Sequence, residues 1–512
     1  MRKRLTWISG FLFLLLMASS LSYAGESKQL RILYLNDFHG FAQSYPSAGH
    51  SEKTGGIAFL AGEVNRFREK QPALLLAAGD FIQGNPWTNL FDGKSAVEVM
   101  NAMNFSAMVL GNHEFDFGQD VLKKRIAEAN FPILAANVRG LSSITPYVLT
   151  EISGLNVAII GLITEETSTT THPKNVQGLT FLPVIRTAQH LVNDLRNKSD
   201  LIIVLSHLGL PADVELAKAV RGIDIIVGGH SHTRIDKPMK IHQTLIVQGW
   251  EHAKVLGMLD VTVRKQTIIR HEGKLIAIEP RQQKPDPFIA AIVDRYQQQT
   301  AVILDDVIGE AQIDLHGKNS RSRETSLGNL IADILRRQTH ADIALINGGG
   351  IRADMLKGPV RINDVLSVLP FPNHPVVLKV NGKELKEIFE HGVSDLEGTA
   401  GRFPQVSGIE IVYQPANPVG QRIRSLNVDG KAIQPQSWYT LATNDFLAAG
   451  GDGYTALTKI LETMEHKGNH PMHENRVILF DSGRAIRDMV IDFIKDKKLI
   501  SATVEGRIQK ED

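Results

Sequence analysis

The 512-residue chain contains no cysteine, which excludes disulfides, thiolate metal ligands and a lipid-modified amino-terminal cysteine. It carries no excess of one charge either: 56 Lys and Arg against 55 Asp and Glu leave a formal charge of +1. Nothing in that balance supports a surface for a nucleic-acid polymer. Internal repeats and low-complexity tracts are missing, which excludes solenoid and propeller architectures. Beyond the first two dozen residues no apolar run approaches the length of a membrane span. What remains, 43% hydrophobic and 22% charged, is the make-up of an ordinary globular protein long enough for two or more domains with full cores.

The one long apolar run, Trp7 to Met17, follows Arg2, Lys3 and Arg4 and leads to the small-x-small triplet Ser22-Tyr23-Ala24. That is the layout of a secretory signal peptide over residues 1–24, with cleavage expected after Ala24. An uncleaved anchor is the competing reading, but the run is short for a span. Cleavage takes away three positive charges and no negative ones, so the formal charge moves from +1 to −2. Export without cysteine fits a bacterial periplasm or exterior, with no membrane attachment once the leader is gone.

Five short motifs stand where apolar runs end: Asp37-Phe38-His39, Gly79-Asp80, Gly111-Asn112-His113-Glu114, His207, and Gly228-Gly229-His230-Ser231-His232. The runs Leu30 to Leu35, Ala73 to Ala77, Ala107 to Leu110, Leu201 to Leu205 and Ile223 to Val227 read as buried strands. Helical spacing over Ile57 to Glu69, Ala96 to Met103, Val184 to Leu195 and Val214 to Val220 predicts parallel strands whose carboxyl ends share one edge. Open α/β sheets bind ligands at that edge. A single motif of this kind is weak, since any one Asp or His more often serves as a cap or a satisfied polar group. The same context repeated five times is strong. Asp, Asn and His together supply more donors than one ion needs, as two divalent metals require.

Asp80 has two oxygens and can bridge two cations, while neutral imidazoles and an amide add no charge. His113 follows Asn112 directly, so it is placed beside the metals without binding them. Asp116 stands three residues on, where it can hold the other ring nitrogen. Zinc, manganese and cobalt all suit such donors.

The pattern divides the chain into a first α/β domain over residues 29–278, closed by alternating strands from Val255 to Ile278, a linker with a helix over 279–304, and a second α/β domain over 305–512. In the second domain Ser326 is expected to precede a helix, and Ile343 to Ile346 is a strand running into Asn347-Gly348-Gly349-Gly350-Ile351-Arg352. Arg323 and Arg352 can form bidentate bonds to phosphate or carboxylate. Phe371 and Phe446 lie in loops rich in Pro or Gly and can stack a planar base, although a lone Phe is more often a core residue.

At this point the chain resembles the bacterial 5′-nucleotidase and UDP-sugar hydrolase family over nearly all of its expected mature length. The first-domain motifs resemble the calcineurin-like metallophosphoesterase set. Asn347 to Arg352, Pro370-Phe371 and Asn444 to Tyr454 resemble the family's nucleotide-binding domain. The resemblance implies a four-layer αββα sandwich followed by a second α/β domain that rotates between open and closed arrangements. It implies Asp37, His39, Asp80 and His232 around one metal, and Asp80, Asn112, His207 and His230 around the other. His113 with Asp116 would be the catalytic dyad. Arg323, Asn347 and Arg352 would hold the substrate, Phe371 and Phe446 would sandwich the base, and Asp452 would contact the ribose. Departures are His232, where several relatives carry an amide, Ser326 in place of an Asn, and the missing disulfide of some relatives. They bear on substrate range more than on reaction type.

The expected function is therefore a metal-dependent phosphoric ester hydrolase acting on a nucleotide small molecule: release of phosphate from nucleoside 5′-monophosphates, with UDP-sugars or other nucleotide diphosphates as further substrates. The same architecture serves 2′,3′-cyclic nucleotide phosphodiesterases and sulfur-oxidation hydrolases. A catalytically silent nucleotide-binding surface protein is the reading from another class, and the complete motif set opposes it.

Overall fold

The structure, a computed structural model, describes residues 27–46, 52–142, 144–397, 400–465, 476–480 and 485–511. The expected signal peptide lies outside the described residues. The first domain holds two six-stranded sheets. One runs in the order Thr267–Ala277, Val255–Arg264, Lys28–Leu35, Ala73–Ala77, Ala107–Val109, Ile133–Leu134. The other runs Met239–Ile241, Thr244–Gln248, Ile225–Gly228, Leu201–His207, Leu155–Ile163, Tyr147–Ile152.

Side chains alternate across each strand, and here both faces of the central strands are apolar. Ile32, Tyr34, Leu74 and Leu76 of the first sheet meet Ile159, Ile203 and Val247 of the second in one core between the sheets. Leu33, Leu35, Leu75 and Ala77 point the other way, toward the helices Ile57–Arg68 and Lys94–Ala102. Beyond the second sheet, the helices Val184–Leu195 and Leu210–Ala219 bury Val192, Leu195 and Leu216. The result is the expected four-layer sandwich, with central strands parallel and the alternating strands Val255–Arg264 and Thr267–Ala277 antiparallel.

The expected linker over 279–304 is not free. Asp286 caps the helix Pro287–Leu304, whose Ile289, Ile292, Val293 and Tyr296 are part of the first domain's core. Trp87 Nε1 donates to the Val293 carbonyl at 3.2 Å. The physical reason is the apolar face of this helix, which is better buried than left in a tether. The crossing point is Asp305-Asp306, just before the strand Val307–Ala311, whose Ile308 and Ala311 belong to a different core.

That second domain is built on a mixed five-stranded sheet in the order Pro404–Ser407, Ile343–Asn347, Trp438–Asn444, Pro375–Asn381, Val477–Phe480. Ala344 and Ile346 face the helices Ser326–Thr339 and Ile486–Lys497, while Ile343 and Leu345 face the opposite core. Ser326 is the first residue of its helix and not the cap: Thr325 Oγ1 accepts from the Gly328 amide at 3.1 Å.

Candidate active site

The parallel strands end along one edge, and the chain leaves Lys28–Leu35, Ala73–Ala77 and Ile225–Gly228 through backbone that few residues adopt. Asp37, His39, Asp80, His230 and His232 have φ of 50°, 49°, 60°, 73° and 49°, the left-handed region that costs a non-glycine residue about 1–3 kcal/mol. Gly79, at φ 85°, has no such cost, and a Cβ there would stand 2.3 Å from His207 Nδ1. This concentration of strain turns the side chains back toward one point. Glu114 fixes the turns in place, its buried carboxylate accepting from the amides of Asp80, Phe81, Ile82 and Gly111 at 2.9, 2.7, 3.2 and 2.6 Å.

Donor atoms of Asp37, His39 and His232 lie within 4.8 Å of one another, and so do those of Asp80, His207 and His230. Asp80 Oδ2 joins the groups, 3.6 Å from His39 Nε2 and 3.2 Å from His207 Nε2. Asn112 Oδ1 completes the second group, 3.0 Å from His230 Nδ1 and 3.3 Å from His207 Nε2. Burial keeps His39 and His230 well below the usual imidazole range, in the neutral form that ligates. Burial raises the Asp37 carboxyl, while at Asp80 the charges of His207 and His113 outweigh burial and hold it well below the carboxylate range. Burial also opposes protonation of His207, yet Asp80 pushes it up to about 10. The carboxylates thus draw positive charge to this point, and the donor set fits a pair of divalent cations.

His113 lies beside the cluster, its ring centroid 5.3 Å from that of His39. Its Nδ1 meets Asp116 Oδ2 at 2.6 Å, and Asp116 Oδ1 accepts from Thr171 Oγ1 at 2.6 Å. Nε2 is left for a ligand.

The second domain supplies the opposite wall of a cleft of about 1010 Å³ lined by Asp80, Asn112, His113, His230 and His232 from the first domain and by Asn347, Arg352, Phe371, Phe446 and Asp452 from the second. Arg352 Nη2 reaches to 3.3 Å from His39 Nε2. The Phe371 ring stacks on His113 at 5.6 Å, and Asn89 Nδ2 donates to the Pro370 carbonyl at 3.2 Å. Asn347 is held by Asp452 Oδ2 at 2.7 Å and Asn444 Nδ2 at 3.2 Å.

One expected residue is not there. Arg323 is exposed and outside the cleft lining, and Arg321, two residues earlier on the same loop, lines the cleft in its place. Burial and the neighbouring Arg352 push the Arg321 guanidinium down to about 10. Sequence spacing gave no means to choose between two arginines of one loop, because the turn at Asn319, φ 72°, decides which points inward. Glu114, Thr171 and Glu251 were also missed as partners of site residues. For Glu114 a signal existed, a carboxylate three residues after Gly111, able to reach back to its amide.

Comparison with known proteins agrees with this layout. The calcineurin-like phosphoesterase family matches residues 30–234, and the 5′-nucleotidase C-terminal domain matches residues 307–459. A snake venom 5′-nucleotidase of Crotalus adamanteus is 32% identical, over 96% of this chain and 90% of that protein. The trifunctional nucleotide phosphoesterase protein YfkN of Bacillus subtilis is 34% identical over 78% of this chain, which spans only 31% of that protein's length. The crystal structure of a 5′-nucleotidase precursor from Thermus thermophilus superposes with a TM-score of 0.87 at 33% identity, covering 94% of this chain and 99% of that one. The chain therefore belongs to the 5′-nucleotidase family of metal-dependent phosphoric ester hydrolases, a calcineurin-like phosphoesterase domain followed by a 5′-nucleotidase C-terminal domain.

Proposed function

We propose that the protein is an exported phosphohydrolase that removes phosphate from nucleoside 5′-monophosphates with two divalent metals. The observation that carries this reading is the shared cleft, which Phe371, Phe446, Arg321 and Arg352 line together with Asp80, Asn112, His230 and His232. Asp37, His39, Asp80 and His232 would hold one metal, and Asp80, Asn112, His207 and His230 the other. When bound, such a pair supplies an activated water and polarises the phosphoryl group.

The chain's own residues do the rest. Arg321 and Arg352 bind the phosphate oxygens, whose negative charge offsets their mutual repulsion. Asn347, braced by Asp452 and Asn444, orients the nucleotide, and Asp452 is placed for the ribose hydroxyls. Phe371 and Phe446 stack the base. His113, held by Asp116 and through it by Thr171, directs Nε2 at the reacting phosphate and stabilises the charge that develops there. Half of the site lies on each side of Asp305-Asp306, so rotation of the second domain would open and close it.

A second substrate class, nucleotide diphosphates such as UDP-sugars, is favoured by the size of the cleft. Its 1010 Å³ is at the top of the range for small-molecule sites, and it continues past the cluster along Thr164 to His172 and Pro183 to Ile185. Export rests on the amino-terminal leader pattern and on likeness to a venom enzyme. No helix among the described residues is long and apolar enough to cross a membrane.

The test is a substrate screen of the mature protein with nucleoside mono-, di- and triphosphates, UDP-glucose, cyclic nucleotides and NAD, with added manganese, zinc or cobalt. Nucleoside 5′-monophosphates should be turned over, chelation should abolish turnover, and metal analysis should find more than one equivalent per chain. Full activity in metal-stripped protein would sink the mechanism.

A further inference from the structure

The imidazoles around the proposed metal positions are not supported alike. His39 Nδ1 meets the Gln83 carbonyl at 2.9 Å, and His207 Nδ1 meets the Ala78 carbonyl at 2.7 Å. Both supports are neutral. His232 differs, because its Nδ1 lies 2.6 Å from a carboxylate oxygen, Glu251 Oε2. The other oxygen of that carboxylate accepts from Lys254 Nζ at 2.5 Å, an ion pair that keeps Glu251 charged.

The loop carrying Glu251 is registered on the loop carrying Asp37. The Gly249 amide donates to Asn36 Oδ1 at 2.7 Å, Asn36 Nδ2 donates to the Trp250 carbonyl at 2.5 Å, and the His252 amide donates to the Asp37 carbonyl at 2.8 Å. Trp250, His252 and Ala253 all take left-handed backbone, at φ 61°, 56° and 53°. Such a run persists only where the surroundings over-determine it. The position of the carboxylate is therefore set by the same segment that positions Asp37.

The geometry points to Glu251 as a positioning residue for the metal held by Asp37, His39 and His232. Its carboxylate accepts the Nδ1 proton of His232, fixes the tautomer whose Nε2 faces Asp37 at 3.5 Å and His39 at 3.3 Å, and makes that nitrogen a stronger donor. His232 is also more open than the ligand candidates His39 and His207, its side chain 23% exposed against 2% and 0%. Of the two proposed metal positions, the one that includes His232 thus has a carboxylate behind one imidazole, whereas His207 of the other has a neutral carbonyl.

The inference rests on His232 being a ligand, so its test includes that assignment. Glu251→Gln, Glu251→Ala, His232→Ala and the double variant Glu251→Gln/His232→Ala are prepared in the full mature chain and loaded with manganese. Metal retained per chain is then measured by atomic emission against increasing chelator. Glutamine can still accept the Nδ1 proton but carries no charge, and alanine does neither. The expected result is that Glu251→Gln weakens one of the two equivalents about 10–100-fold, the usual loss on removing such a support, that Glu251→Ala weakens the same equivalent further, and that the other equivalent is unchanged. In the His232→Ala background Glu251→Gln should add no further loss, since it acts through the ring. Retention of both equivalents at native affinity in Glu251→Gln overturns the proposal, and so does a loss that simply multiplies in the double variant. If His232→Ala itself leaves metal affinity unchanged, the ligand assignment has failed first, and the inference falls with it. Should Glu251→Ala not fold, Glu251→Gln, of the same shape, still decides.

Discussion

Replacing Arg321 by alanine removes a guanidinium that lines the cleft and is proposed to bind the phosphate, and replacing Arg323 removes an exposed neighbour outside the cleft lining. With its value near 10, Arg321 is still charged at neutral pH. A charge-assisted hydrogen bond is worth about 1.5–3 kcal/mol, so Arg321→Ala should lower kcat/KM for a nucleoside monophosphate by about 10–150-fold. Arg321→Lys should recover little of this, because a single ammonium cannot reproduce a bidentate fork. Arg323→Ala should leave kcat/KM near the native value. Steady-state phosphate release with a nucleotide and with p-nitrophenyl phosphate checks the comparison; both substrates carry the phosphate, so both should suffer in Arg321→Ala. An Arg323→Ala loss equal to that of Arg321→Ala would refute the reasoning from cleft lining.

Three further outcomes are expected. His113→Ala should lower kcat by about 10²–10⁴, the range for loss of a general acid–base group, with both metals retained by emission analysis, whereas Asp80→Ala should lose metal. Phe446→Ala should weaken nucleotide use by about 1–3 kcal/mol while p-nitrophenyl phosphate hydrolysis stays near native; Phe371→Ala should also change the small-ester rate, since that ring stacks on His113. Asp213 is fully buried with Ser206 donating to one oxygen, and burial pushes its carboxyl up to about 7. A raised carboxyl favours the folded state while protonated and weakens it as pH rises, so stability should fall by about 4 kcal/mol between about pH 4 and pH 7 on this account; a melting-temperature profile of Asp213→Asn should be flatter over that window, and an unchanged slope would remove Asp213 as its cause.

What the sequence made legible follows from where its signals are local. Leu30 to Leu35 and Ala73 to Ala77 are apolar runs followed within three residues by Asp37 and Asp80, and strand and site follow from the same few residues. His113 and Asp116 are three apart on a single turn, so their pairing was readable as well. Arg321 was not, because alternation in Ser320-Arg321-Ser322-Arg323 is silent about which side chain a loop turns inward. Glu251 was hidden for another reason: it is far from Asp37 in sequence, and its loop joins that segment through hydrogen bonds to Asn36 and to the Asp37 carbonyl. The helix Pro287–Leu304 was seen as a helix, but its allegiance depends on the apolar pocket around Trp87 and Phe91, which only the fold assembles.

That helix also decides where the chain can be cut. A first domain ended at residue 278 would lose Ile289, Ile292, Val293 and Tyr296 from its core, leaving an apolar scar beside Trp87 and inviting aggregation. Ending it at residue 304 keeps the core whole and still carries every metal-ligand candidate, His113 and Asp116, but not Arg321, Arg352, Phe371 or Phe446 of the cleft. Under the proposed function such a fragment would meet a small phosphate ester without the residues that recognise a base, and would be a natural starting point for grafting a different recognition domain after Leu304.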